Sequence, residues 1–346
     1  MLSALVSVSG FSLSDGEKRW LQKYRPAGVS LFARNIKDLE QLRRLTAEIR
    51  EVTDNKNILI AVDQEGGRVR RLNGSDFHAA ASQYVLGQLD EEIAAAHAKI
   101  ISDDLRRAGI NFNFAPVLDM AYPATHPVLK SRCFGSSEQK TALLGQVMIN
   151  TYRQNGICPC MKHMPGHGRA ETDPHLGLPV VNNALPELAK DFYPFTENND
   201  CPAGMTAHIV VSAVDDRLPV TLSKKAIDYL IRGLINFNGL LISDAIDMQA
   251  LSGSIGERAA AVIDAGCDLV CYCGGKLEDL EALSVNCPRL SDRSYERLQV
   301  VYNVFSSPGK ALDTALEDRY YRAVGLVEEY DESYDATEVL NRMQKA

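Results

Sequence analysis

Eight short apolar runs, most of them separated by longer amphipathic stretches, constrain this chain more than any other feature of its sequence. The runs are LVSVSG (5–10), GVSLFARN (28–35), NILIAVDQEGG (57–67), INFNFAPVLDM (110–120), ICPCMKHMPGH (157–167), AGMTAHIVVSAVD (203–215), GLLISDAIDM (239–248) and DLVCYCGG (268–275). Helix-like segments lie between most of them, at 36–52, 86–108, 136–155, 222–236, 256–266 and 276–284. Short apolar runs bounded by turn residues predict buried strands, and strands alternating with helices predict βαβ units on a parallel sheet. Eight such units predict a closed (β/α)8 TIM-type barrel.

The later runs end in residues able to do chemistry: Asp63, Gln64 and Glu65; Asp119; Lys162 and His163; His208; Asp244. In a parallel barrel all strand C-termini share one rim, where active sites are built. A polar residue at one strand end is an ordinary loop residue; five strands ending this way predict a common pocket. A barrel of this type takes about 250 residues. The remainder of the 346 predicts a division into a catalytic barrel at 1–290 and a helical C-terminal extension at 291–346, with a turn near SSPGK.

Composition excludes several classes. The net charge of −8 leaves no basic excess to neutralise phosphates, so no nucleic-acid partner is expected. No segment reaches eighteen apolar residues, and the opening apolar run has no basic stretch before it. It is expected to be a strand, in a cytoplasmic protein without a membrane partner. Of the eight cysteines, Cys158, Cys160, Cys267, Cys271 and Cys273 sit in or beside apolar runs, and no repeated CxxC pair occurs. Buried free thiols are the expectation.

Three stretches carry potential chemistry. DQEGGRVRRL lacks the GxGxxG and GxxxxGK[ST] patterns of nucleotide sites. It offers instead an acid, paired glycines and arginines at a strand end: Asp63 can accept from adjacent hydroxyls and Arg71 can donate to a polar group. In GLLISDAIDM, Asp244 should emerge at the rim as a nucleophile, base or metal ligand, while Asp247 fits a helix cap. KHMPGHGRAETDPHLGLP (162–179) holds three of the seven histidines. There Asp173 and His175 are two apart, a spacing that lets a carboxylate orient an imidazole for acid–base work. His163 and His167 are four apart, but Pro165 and Gly166 argue against the helix that a metal-binding HxxxH pair needs.

Together with NFNFAPVLDM and SRCFGSS, these stretches resemble, in order, glycoside hydrolase family 3 enzymes of the bacterial β-N-acetylglucosaminidase type, across residues 28–250. The KHxPGHG…DxH loop is the most specific element. The resemblance implies a (β/α)8 barrel, cytoplasmic residence, no metal and no cofactor. It implies Asp244 as catalytic nucleophile, His175 as general acid/base and Asp173 as its partner. Asp63, Arg71, Arg132, Lys162 and His163 would hold the N-acetylglucosamine unit of a small carbohydrate or muropeptide, and the enzyme would act as a monomer. Cys133, Met164, Pro174 and Ala245 depart from the residues common there, respectively serine, phenylalanine, serine and aspartate. Gly166, Gly168 and Gly177 are expected to let the loop close and open. The same residues also fit a β-glucosidase or β-xylosidase of this fold, and a metal-dependent barrel hydrolase using His163, His167, His175 and Asp244. An inactive sugar-binding protein is the third alternative.

Overall fold

A computed structural model describes residues 1–170 and 178–330. Its centre is a closed barrel of eight parallel strands: β1 (Leu2–Ser7), β2 (Pro26–Leu31), β3 (Leu59–Val62), β4 (Phe112–Asn113), β5 (Cys158–Met164), β6 (Ala203–Thr206), β7 (Leu240–Ala245) and β8 (Leu269–Cys271). Neighbours in sequence are neighbours in the barrel, and Ala4 of β1 pairs with Val270 of β8 to close it. Each strand overlaps one of the apolar runs, β1 and β2 beginning a few residues before theirs. β4 is short because Pro116 interrupts its run; beyond Asn113 the segment pairs irregularly, with Phe114 N–H donating to Val62 and Cys160 N–H to Ala115.

Side chains alternate across each strand, so every second residue points inward. Leu5, Leu59 and Ala61, Phe112 and Phe114, Cys158 and Cys160, Ala203 and Met205, Leu240 and Ile242, and Leu269 and Cys271 form one interior cluster. Leu298, Val301 and Val304, from helix α9 (Asp292–Val304), belong to the same cluster. Burying apolar area at about 25 cal/mol per Å² makes this interior a main source of stability. The cysteine expectation holds: Cys158, Cys160, Cys267 and Cys271 are buried free thiols, and Cys273 is partly exposed.

The outer layer comprises α1 (Asp15–Tyr24), α2 (Leu39–Thr53), α3 (Glu91–Arg107), α4 (Glu138–Gln154), α5 (Leu185–Glu197), α6 (Lys224–Ala226 continuing as the π-helix Ile227–Leu234), α7 (Ile255–Ala265) and α8 (Leu277–Asn286). Beyond α9 lies α10 (Thr314–Val324). α1 and α5 fall outside the segments that read as helices. α1 is held by a Ser14–Glu17 capping box and by burial of Trp20 and Leu21. α5 contains Pro186 and Pro194, which read as breakers. Pro186 sits in the first turn, where no N–H is needed. Burial of Leu188, Phe192 and Phe195, with α5 packed on α4, outweighs the bond lost at Pro194.

Asp247 does not cap a helix. It accepts the Cys273 N–H at 2.9 Å, tying the β7 and β8 ends together, while Ser254 caps α7.

Candidate active site

The site continues the inward register of the barrel by one step. Leu59 and Ala61 are followed by Asp63, Cys158 and Cys160 by Lys162, Leu240 and Ile242 by Asp244, Leu269 and Cys271 by Cys273. Alternation that fills the interior with apolar groups thus delivers polar ones to its C-terminal mouth.

Lys162, 2% exposed, is the hub. Its ammonium lies 2.7 Å from Asp63 Oδ1 and 2.6 Å from Glu65 Oε1. Arg132 holds Glu65 with two parallel bonds, Nε to Oε2 and Nη2 to Oε1, both 2.8 Å. Arg132 Nη2 also approaches His163 Nε2 at 3.4 Å. His163 Nδ1 lies 2.6 Å from Asp119 Oδ2. Asp119 Oδ1 accepts the backbone N–H groups of His163 and His167, at 3.2 and 2.7 Å. This orients the His163 ring with Nδ1–H on the carboxylate and Nε2 toward the pocket. Arg71 approaches Asp63 Oδ2 at 3.8 Å, too far for a hydrogen bond. Its Nε is buried without an acceptor among the described residues. Asp63 and Arg71 therefore keep hydrogen-bonding capacity directed at the mouth.

Asp244 stands at the end of β7, with Oδ1 accepting the Ala245 N–H at 2.8 Å. Behind it His208, fully buried, lies 2.9 Å from the Ala245 carbonyl through Nε2 and 2.8 Å from Thr221 Oγ1 through Nδ1. Across the mouth Arg34 donates to Val8 O, Ser7 Oγ and Cys273 O, at 3.1, 2.5 and 2.5 Å.

Electrostatics follow from burial and neighbours. Burial alone would raise the Asp244 pKa; His208, His163, the Ala245 N–H and Lys162 outweigh it and bring it down to about 2. The carboxylate is ionised at neutral pH. Glu65 is likewise held well below the usual range, burial being overcome by Arg132 and Lys162. Burial opposes charge on Lys162, but Asp63 and Glu65 raise its pKa. Burial lowers His167 to about 4, leaving a neutral ring whose two nitrogens have no hydrogen-bond partner among the described residues. Desolvating each buried ion costs several kcal/mol, so ion pairs of this kind are a poor device for stability alone. Their convergence on one rim indicates a site that fixes polar ligand groups.

Asp63, Arg71, Arg132, Lys162, His163 and Asp244 are thus brought to one mouth. Asp173 and His175 lie outside the described residues, as do Pro174 and Gly177. Gly166 and Gly168 sit where backbone passes closely: a Cβ on Gly168 would come within 1.8 Å of the Met120 carbonyl, and Gly166, at φ +129°, packs on Asp191. Of the four residues of the metal-ligand pattern, His163, His167 and Asp244 are described and His175 lies outside the described residues. Among the described residues no group of three or more His, Cys, Asp or Glu side chains converges on a cation position. His163 turns one nitrogen to Asp119 and the other toward a guanidinium, a poor setting for a cation. Glu65, Asp119 and Arg34 take part without a role having been read for them. The first two end apolar runs, as the other site residues do, whereas Arg34 has no such mark in the sequence.

The profile of one known family aligns with most of the chain: the glycosyl hydrolase family 3 N terminal domain matches residues 2–297. The chain belongs to glycoside hydrolase family 3. A beta-hexosaminidase of Chromobacterium violaceum is 34% identical over 308 residues, covering 85% of each chain. That of Psychromonas ingrahamii is 34% identical over 322 residues, covering 89% of this chain and 94% of its own. NagZ of Neisseria gonorrhoeae, solved in complex with N-trifluoroacetyl-D-glucosamine, superimposes with a TM-score of 0.83 at 29% identity, covering 94% of this chain and 98% of that one. The family 3 chain is a glycoside hydrolase of NagZ-like type, and the eight-stranded barrel is the fold it shares with these structures. The family match ends within α9, so α10 lies beyond it.

Proposed function

We propose that this chain is a retaining β-N-acetylhexosaminidase that removes terminal, non-reducing β-linked N-acetylglucosamine. The observation that carries this is Asp244: an ionised carboxylate at the C-terminal mouth of the barrel, beside a charged and hydrogen-bonding ring able to hold one sugar. Asp63, with one oxygen on Lys162 and the other open, would accept sugar hydroxyls. Arg71, Arg132 and Lys162 would donate to hydroxyl and acetamido oxygens, and His163 would accept a sugar hydroxyl through Nε2. The Asp244 carboxylate would attack the anomeric carbon, forming a glycosyl ester as the bond to the leaving oxygen breaks. His175, protonated and oriented by Asp173, would give its proton to that oxygen. The neutral imidazole would then take a proton from water, whose oxygen displaces Asp244. An imidazole suits both halves because its ordinary pKa is near 6.5. It replaces the second carboxylate that retaining enzymes usually carry.

We further propose peptidoglycan-derived muropeptides, N-acetylglucosaminyl-1,6-anhydro-N-acetylmuramic acid and its peptides, as the substrate. The likeness to NagZ supports this choice. A monomeric, cytoplasmic enzyme, with the barrel at 1–290 and a packed helical extension at 291–346, completes the proposal. Among the described residues no helix is long and apolar enough to cross a membrane.

The test is hydrolysis of p-nitrophenyl N-acetyl-β-D-glucosaminide beside the glucoside and xyloside, with and without a strong chelator. Turnover of the acetamido sugar alone, unaffected by chelator, is the expected result. Preference for the glucoside would overturn the assignment.

A further inference from the structure

The Glu65 carboxylate holds Arg132 and Lys162, and its backbone is held from outside the barrel by a buried relay. The Glu65 carbonyl lies 3.1 Å from His97 Nε2 on α3. His97 Nδ1 lies 2.9 Å from the Tyr320 hydroxyl on α10. The same hydroxyl accepts the Ala81 N–H at 2.8 Å. His97 and Tyr320 are both fully buried, which leaves the imidazole neutral, burial lowering it to about 4. The proton pattern is then determined: His97 Nε2–H donates to Glu65, and the Tyr320 O–H donates to His97 Nδ1. Space around the carbonyl is equally restricted. A Cβ on Gly66, at φ +103°, would come within 2.1 Å of Ala81 O and 2.8 Å of His97 Cε1. Gly67 N–H donates to Ala80 O at 2.8 Å. A second contact from the same C-terminal region reaches this segment: Glu329 accepts Ser82 N–H at 3.1 Å and Ser82 Oγ–H at 2.5 Å.

We propose that Tyr320, on the helix beyond the family match, is a positioning residue for the sugar site, acting through His97 on the Glu65 backbone. The C-terminal helix is thereby part of the substrate-holding apparatus and not only a cover for the barrel wall. This rests on the hexosaminidase function proposed above. Glu65 would act on substrate through Arg132 and Lys162, the groups assigned above to holding the sugar and not to bond-making. Loss of its placement therefore appears in KM and not in kcat.

Tyr320→Phe keeps the ring and removes one hydroxyl. With p-nitrophenyl N-acetyl-β-D-glucosaminide, KM is expected to rise about three- to tenfold, the range of one buried hydrogen bond, with kcat within about twofold. Lys99→Met is the stability control. Lys99 anchors the same C-terminal region elsewhere, donating to Asn155 and to the Lys310 carbonyl, and its loss should lower Tm without moving KM. If Tyr320→Phe does not fold, His97→Gln, which keeps an N–H for Glu65, should retain the wild-type KM, and His97→Leu should raise it. An unchanged KM in Tyr320→Phe with a folded protein overturns the proposal, as does an equal rise in Lys99→Met. Absence of turnover by the wild-type protein is a different result: it removes the proposed function, and this inference with it.

Discussion

At the scale of single residues the site is a set of groups whose protonation is fixed by their neighbours. Asp244, held at about 2, needs no activation, so kcat/KM on an activated aryl glycoside should stay level between pH 6 and pH 4. A limb with a pKa at or above 4 that disappears in no other variant would contradict a pre-ionised nucleophile. Asp244→Ala should lose at least about 10³-fold in kcat, with azide restoring part of it on an activated substrate. Asp119 is a buried acceptor for three N–H groups, two of them backbone. Asp119→Ala leaves these unpaired and should destabilise by about 2–4 kcal/mol, read from urea unfolding at constant m-value. The sequence displayed Asp63, Lys162, His163 and Asp244 because each ends an apolar run. It did not display Arg34, whose place depends on the β1 and β8 ends meeting across the barrel closure, or the roles of Glu65 and Asp119, which depend on contacts between distant loops.

At the scale of elements, buried polar anchors join helices to strands. Asp268, 3% exposed, accepts from Arg232 on α6, Arg297 and Ser294 on α9, and the Leu241 N–H of β7. Removing one partner of such a group leaves buried charge uncompensated. Asp268→Ala should therefore cost about 3–5 kcal/mol in chemical denaturation, while the folded fraction keeps its KM. Element type was legible wherever periodicity was strong, as in α2, α4 and β7. α5 was hidden because Pro186 and Pro194 read as breakers, although one sits where no donor is needed and the other is offset by packing on α4. The close backbone approach at Gly166 and Gly168 was hidden too, because it depends on Asp191 and Met120, which are distant in sequence.

At the scale of the whole molecule, the barrel and the residues after it share one interior. Leu298, Val301 and Val304 belong to the same cluster as the inward residues of the eight strands. A chain ending at residue 290 should fail to give a cooperative unfolding transition, whereas a soluble, cooperative 1–290 fragment would show that the barrel closes without α9. The α10 region is also fastened by charge. His78 lies 2.8 Å from Asp104 and 3.5 Å from Glu317 of α10. Its pKa is raised, chiefly by the Asp104 hydrogen bond, against burial and the nearby Arg107. A raised histidine stabilises fully below its unfolded value near 6.5 and loses that contribution as pH rises through the folded value. Unfolding free energy should therefore decline above pH 6.5, and His78→Gln should flatten that decline. In the proposed mechanism the carboxylate at the end of the seventh barrel strand becomes bonded to the sugar. The most direct test of that bond is peptide-mapping mass spectrometry after incubation with an activated 5-fluoro-N-acetylglucosaminyl fluoride, which slows release of the glycosyl-enzyme. A fluorosugar adduct on Asp244, absent in Asp244→Asn, is the predicted result; turnover with no adduct, or an adduct on another residue, would contradict it.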